Sequence, residues 1–151
     1  MKQDKLDKLF KIAESVALNS PDAETKVGAL LVNGKSLAIL STGYNGFLRN
    51  APDNKLPNKR PEKYEYMLHA EVNLLINCAR HGITTSDCIL ICTLTPCVTC
   101  TRLLWQAGIT TLYCKDYHPM SYHLCGMQDL TVKQMFIKPH PNYYITLQPK
   151  E

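Results

Sequence analysis

His69-Ala70-Glu71 and Pro96-Cys97-Val98-Thr99-Cys100 are the stretches whose residue types and spacing could do chemistry. One imidazole and two thiols make a soft donor set suited to zinc. Three protein ligands leave the fourth tetrahedral position to water, as in a catalytic rather than a structural ion. Glu71 follows two residues after the histidine, which suits a proton carrier beside the ion better than a fourth ligand. Taken alone, a Cys-x-x-Cys pair is more often a structural zinc half-site, completed here by Cys88 or Cys92, or a redox pair. A redox pair would leave His69 and Glu71 unexplained. The catalytic-zinc reading uses all four residues.

The elements that must position these residues can be read from periodicity. Pro96 starts a helix running to Ala107, which sets Cys97 and Cys100 on one side of its first turn. A second helix opens at His69, with Leu68, Val72, Leu75, Ile76 and Ala79 as its core face and Gly82 closing it. Its opposite side carries Asn73, Asn77 and Arg80. Both halves of the donor set therefore stand at helix starts, where the positive end of the helix favours thiolates. Upstream, Leu6, Leu9, Phe10, Ala13, Val16 and Ala17 mark an amphipathic helix over 4–19. A buried strand over 27–32 follows, then Asn33-Gly34 as a two-residue hairpin turn and a return strand over 37–44. Residues 45–65 form a long loop with three prolines, and loops of that length are often functional. Its cations, Arg49, Lys55, Lys59, Arg60 and Lys63, read most simply as solvated surface. Cys88 to Thr93 is a continuous apolar strand, and 111–114 another, joined by a parallel crossover. The tail predicts one or two short helices within 121–137 and a last strand over 143–147. His118 and His123 are further candidates for the pocket rim.

The 151 residues, 45% apolar and 20% charged, predict one α/β domain over 1–151. Residues 1–11 alternate charge with apolar side chains and predict no secretory leader, and no apolar run is long enough to span a membrane. Seven cysteines, an odd number and none before Cys78, do not suit a disulfide framework. They suit a reducing cytoplasm, with Cys78, Cys88, Cys92, Cys114 and Cys125 as small core residues. A net charge of +4 favours an anionic small molecule as readily as nucleic acid.

The spaced His-x-Glu and Pro-Cys-x-x-Cys pair is the signature of zinc nucleobase deaminases. The chain resembles the cytidine deaminase superfamily and, within it, the deoxycytidylate (dCMP) deaminases. Thr25-Lys26-Val27-Gly28-Ala29, Gly43-Tyr44-Asn45-Gly46-Phe47 and Lys63-Tyr64-Glu65-Tyr66 carry the resemblance beyond the donor set. Leu48 stands where that family usually has proline, and Tyr117-His118-Pro119 where many members have Tyr-His-Asp. The resemblance implies a three-layer α/β/α sandwich on a five-stranded mixed sheet. It implies that His69, Cys97 and Cys100 hold Zn2+ and that Glu71 shuttles protons. Asn45 is expected to bond the sugar and the Ala70 amide the base carbonyl. Arg49, Lys59 and Arg60 are candidates for the 5′-phosphate of a deoxynucleotide. The implied reaction turns dCMP into dUMP and ammonia, feeding dTMP synthesis, in a cytoplasmic homo-oligomer, a hexamer by resemblance, under dCTP and dTTP regulation. The alternatives are a zinc deaminase of another nucleotide or of tRNA adenosine, and a non-catalytic zinc interaction module. Modest net charge and the Gly-Tyr-Asn-Gly motif argue against nucleic acid, and Glu71 argues against the module.

Overall fold

The structure is a computed structural model that describes residues 1–109, 111–116, 138–139 and 145–147. Its elements, in chain order, are α1 (Gln3–Ala17), β1 (Gly28–Asn33), β2 (Ile39–Tyr44), β3 (Gly46–Phe47), β4 (Met67–Leu68), α2 (Ala70–His81), β5 (Cys88–Leu94), α3 (Val98–Gln106), β6 (Thr111–Asp116), β7 (Lys138–Pro139) and β8 (Ile145–Leu147). The class is α/β. In place of the expected five strands, four long ones are extended by short β8 and β7 into a sheet of order β2-β1-β5-β6-β8-β7. It is mixed because β5 and β6 pair in parallel while its other neighbours pair antiparallel. The expected helices in 121–137, along with His118, His123 and Cys125, lie outside the described residues.

β1 and β5 are apolar almost throughout because both of their faces are covered. Successive side chains on a strand point to opposite faces. Leu30, Val32 and Ile91 meet Leu6, Leu9, Phe10 and Ala13 of α1. Ala29, Leu31, Leu90 and Cys92 meet Ala70, Leu74 and Cys78 of α2 and Leu104 of α3. Each fully buried leucine contributes about 1.5–3 kcal/mol. Burying β5 on both faces fixes the strand that leads into Cys97.

The second helix keeps its predicted period but turns to a different phase. Ala70, Glu71, Leu74 and Cys78 are its buried positions, whereas Ile76, expected in the core, is 51% exposed. Gly43 supplies the physical reason. A Cβ there would stand 2.3 Å from the Ala70 carbonyl oxygen and 2.7 Å from the Leu74 nitrogen, so the helix backbone rests directly on β2. Asn73 and Asn77, expected to face away, instead donate to the Tyr44 carbonyl and the Ser41 hydroxyl across that contact. The axis is drawn onto the strand, and the buried stripe rotates with it. As expected, Gly82 ends the helix, at φ 65°.

The hairpin differs too. The return strand begins at Ile39, and Asn33 accepts from the N–H groups of Lys35 and Ser36, organising a longer connection in place of the two-residue turn. Gly34 is needed for a different purpose: a Cβ there would lie 2.2 Å from the Asp87 carbonyl oxygen. The 45–65 loop is clasped where β3 pairs antiparallel with β4 and is shortened by 3-10 turns at Asp53–Lys55 and Glu62–Glu65. That clasp delivers the chain to His69.

Candidate active site

His69 is the N-cap of α2 and Cys97 the N-cap of α3, so two helix starts face each other. A cap usually turns its side chain back to a free backbone N–H. His69 makes no such bond, and its Nδ1 lies 3.5 Å from Cys97 Sγ and 3.4 Å from Cys100 Sγ. Cys97 also accepts the N–H of Cys100 at 3.4 Å, which fixes the turn between the two thiols. Tetrahedral zinc, with bonds of about 2.3 Å to sulfur and 2.0–2.1 Å to nitrogen, holds those donors about 3.5 Å apart. The three donor atoms, all within 4.8 Å of one another, fit that ion.

The electrostatics suit a cation. A hydrogen bond from the Cys100 thiol outweighs burial and, with help from His69, brings the Cys97 pKa down to about 4. Cys100 is pushed up by giving that bond and by burial. His69 is raised chiefly by its bond to Cys97. Before a metal arrives, one proton is shared across the pair, and binding would release it. Glu71, on the first turn of α2, is buried, and that burial holds its carboxyl above the usual range. Behind it on β5, the Cys92 thiol donates to Glu71 Oε1 at 3.7 Å.

A cavity of about 150 Å³ brings most of the predicted site together: His69, Ala70, Glu71, Cys97, Asn45 and Arg60 all line it. Asn45 is tightly committed. Its Oδ1 accepts from Val27 N–H, and its Nδ2 donates to Asp22 and to the Thr25 carbonyl. Arg49 lies elsewhere, in a groove of about 600 Å³ beside α2 with Asn73, Asn77 and Arg80. Lys59 is exposed, and its carbonyl accepts the Lys63 N–H. Among the three candidate phosphate cations, the cavity includes Arg60.

Lys63 corrects the surface reading of the loop's cations: it is 3% exposed, with Nζ 2.7 and 2.9 Å from the two oxygens of Asp22. Asp22, Thr25, Lys63 and Tyr64 are cavity residues that sequence reasoning missed as such. The Thr25 and Lys63-Tyr64 motifs were visible, but nothing local joined them. The expected cores at Cys78, Cys88, Cys92 and Cys114 are all buried.

Residues 3–115 match the profile described as the cytidine and deoxycytidylate deaminase zinc-binding region. A probable deoxycytidylate deaminase of Caenorhabditis elegans is 35% identical over 113 residues, 72% of this chain and 56% of that protein. The deoxycytidylate deaminase of Homo sapiens is 36% identical over 99 residues, covering 62% of this chain and 54% of that one. The chain thus spans about half the length of these curated relatives. The dCMP deaminase of cyanophage S-TIM5, solved in complex with dCMP and dUMP, superposes with a TM-score of 0.68 at 28% identity, over 86% of this chain and 94% of that one. Zinc is thus the ion that both the donor set and the matched profile point to. The profile match runs through both halves of the donor set, and the chain belongs to the cytidine and deoxycytidylate deaminase family.

Proposed function

We propose that the chain catalyses the zinc-dependent hydrolysis of dCMP to dUMP and ammonia. The carrying observation is Glu71, a buried carboxyl beside a three-donor cluster, in the same cavity as Arg60. The cyanophage deaminase solved with dCMP and dUMP, covered over 94% of its length, supports the choice of substrate.

His69 through Nδ1, with Cys97 and Cys100, would hold zinc; the ion, when bound, supplies Lewis acidity that brings the pKa of water toward neutrality. Hydrolysis forms a bond from the water oxygen to C4 of cytosine, which requires one proton to leave that water and one to arrive at ring N3. Glu71 does both, so negative charge does not build up on the ring. It then carries the remaining water proton to the amino group, the C4–N bond breaks, and ammonia leaves as the uracil carbonyl forms. A carboxyl raised by burial suits a group that must both take and give a proton near neutral pH. Ala70 is the first residue of α2, where backbone N–H groups have no acceptor within the helix, and its amide is our candidate donor to the base carbonyl. The three hydrogen bonds of Asn45 fix its amide, and Oδ1 keeps a second lone pair to accept from the sugar. Arg60 takes the 5′-phosphate, ahead of Arg49 and Lys59.

We also read the sheet with α1 on one face and α2 and α3 on the other as a three-layer sandwich within one domain, supported by the two separate apolar clusters. Homo-oligomeric assembly, dCTP and dTTP regulation and a cytoplasmic setting belong to the same reading. The groove with Arg49 and Arg80 offers charge for a triphosphate, and among the described residues no helix is long and apolar enough to cross a membrane.

The test is ammonia release by zinc-loaded protein from dCMP, CMP, deoxycytidine, dCTP and a tRNA anticodon stem-loop at equal concentration. dCMP should be preferred. Turnover of the stem-loop alone would move the chain to the nucleic-acid branch of the family, and no turnover of any substrate would refute the enzyme.

A further inference from the structure

Asp22, Arg60 and Lys63 line the cavity, and Glu24, outside that lining, joins them in a chain of two anions and two cations. They are not held equally. The Asp22–Lys63 pair is buried, and Asp22 also accepts from the N–H groups of Glu24 and Thr25 and from Asn45. Those two charges are fixed. Glu24 is more open to solvent, about one-third exposed, with its carboxylate 3.4 Å from Arg60 Nη1 and 3.6 Å from Lys63 Nζ. Its short contact, 2.5 Å, is to the backbone N–H of Arg60. The Arg60 guanidinium is aimed by neutral acceptors, Tyr64 Oη on Nε and Thr25 Oγ1 on Nη2. Among the described residues, Glu24 is the anion in contact with that guanidinium.

We propose that Glu24 is a specificity-determining residue, an exchangeable anion that competes with the substrate phosphate for Arg60. It thereby sets how strongly the cavity prefers a phosphorylated nucleoside over an unphosphorylated one. With Glu24 in place the four charges cancel, and a phosphate dianion meets little net attraction. With Glu24 turned into solvent, Arg60 and Lys63 outweigh Asp22. The preference is thus held below what the two cations could give. Such a brake speeds release of a phosphorylated product, since product and substrate carry the same phosphate. The choice of nucleotide ligand rests on the deaminase reading above.

Glu24→Gln is the informative change, because an amide oxygen still accepts the Arg60 N–H while the charge is gone. Wild type, E24Q, R60Q and the double variant are compared, all zinc-loaded. The kcat/KM ratio of dCMP to deoxycytidine is measured, and dUMP binding is followed by calorimetry. In E24Q the ratio should rise, and dUMP bind more tightly, by about two- to fivefold, the range expected of one exposed ion pair. The gain should shrink in high salt and vanish when Arg60 is also replaced. An unchanged ratio, an equal gain for deoxycytidine, or a gain that persists with R60Q would overturn the proposal. Tighter dUMP binding by E24Q in a chain that deaminates nothing would sink the activity and leave this role standing. No dUMP binding by any variant would sink both.

Discussion

Cys97 and Glu71 face one cavity and meet different physical demands. A metal ligand must give up its proton and keep a lone pair aimed at the ion, and Cys97 is set up for this by the Cys100 thiol, by His69 and by its place at the start of α3. A proton carrier, the role proposed for Glu71, must be able to hold its proton, and burial, which raises the Glu71 carboxyl, favours that. The two roles separate by mutation. Glu71→Gln should keep zinc at about one ion per chain while turnover falls by about 10²–10⁴-fold or more. Cys97→Ala or Cys100→Ala should lose both. Elemental analysis alongside the ammonia assay checks this, and E71Q protein without zinc would instead make Glu71 a ligand.

Helix α2 carries His69 and Glu71 on a seat that admits almost no adjustment. Of the three atoms a Gly43 side chain would strike, two belong to the helix backbone and the third is the Leu74 Cβ, so no rotamer change can relieve the contact. Gly43→Ala should therefore lift the helix, at a cost of about 1–3 kcal/mol in urea unfolding, the range for overpacked cores. Activity should fall further than that loss of stability explains, because the proposed zinc donors stand at the starts of two different helices. This seat also shows which parts of the fold sequence patterns could reveal. Helix existence and the Gly82 cap follow from residues a few positions apart and match the structure, which also brings His69, Cys97 and Cys100 together. The phase of α2 does not, since the buried stripe is chosen by a glycine on another strand. Likewise the Asn33-Gly34 pair looks like a tight turn until Asp87 is brought against Gly34. Asp22 and Lys63 are 41 positions apart, each within a polar stretch, and only the closed fold turns them into a buried pair.

That pair makes the stability of the whole molecule depend on pH. Burial, the largest single influence on the Asp22 carboxyl, acts to raise it. Lys63 and the N–H groups of Thr25 and Glu24 together outweigh burial and hold it below its ordinary 3.8. A lowered folded-state pKa contributes stability above the unfolded value, and that contribution is lost as pH falls through the folded one. Asp22→Asn should cost about 3–5 kcal/mol near neutral pH, because it strands a buried lysine. The gap to wild type should narrow below about pH 4. Urea titrations of both proteins at pH 7 and pH 3 test this, since zinc release in acid is common to both and cancels. A gap that stays constant would mean that Asp22 is held by its backbone contacts rather than by charge.

The buried thiols turn the same chain into its own unfolding gauge. Cys78 on α2, Cys88 and Cys92 on β5 and Cys114 on β6 are unbridged and sealed within the core, so alkylation reaches them only when those elements part. Cys97 differs, being partly exposed and ionised near neutral pH once no metal masks it. Treatment with iodoacetamide and peptide mapping should therefore mark Cys97 within minutes of chelation. The four core thiols should stay silent until denaturant opens the sheet, then label together. If Cys78 is marked well before Cys92 and Cys114, α2 leaves its seat as a separate event. The order in which the thiols are marked would then give the order in which the layers come apart.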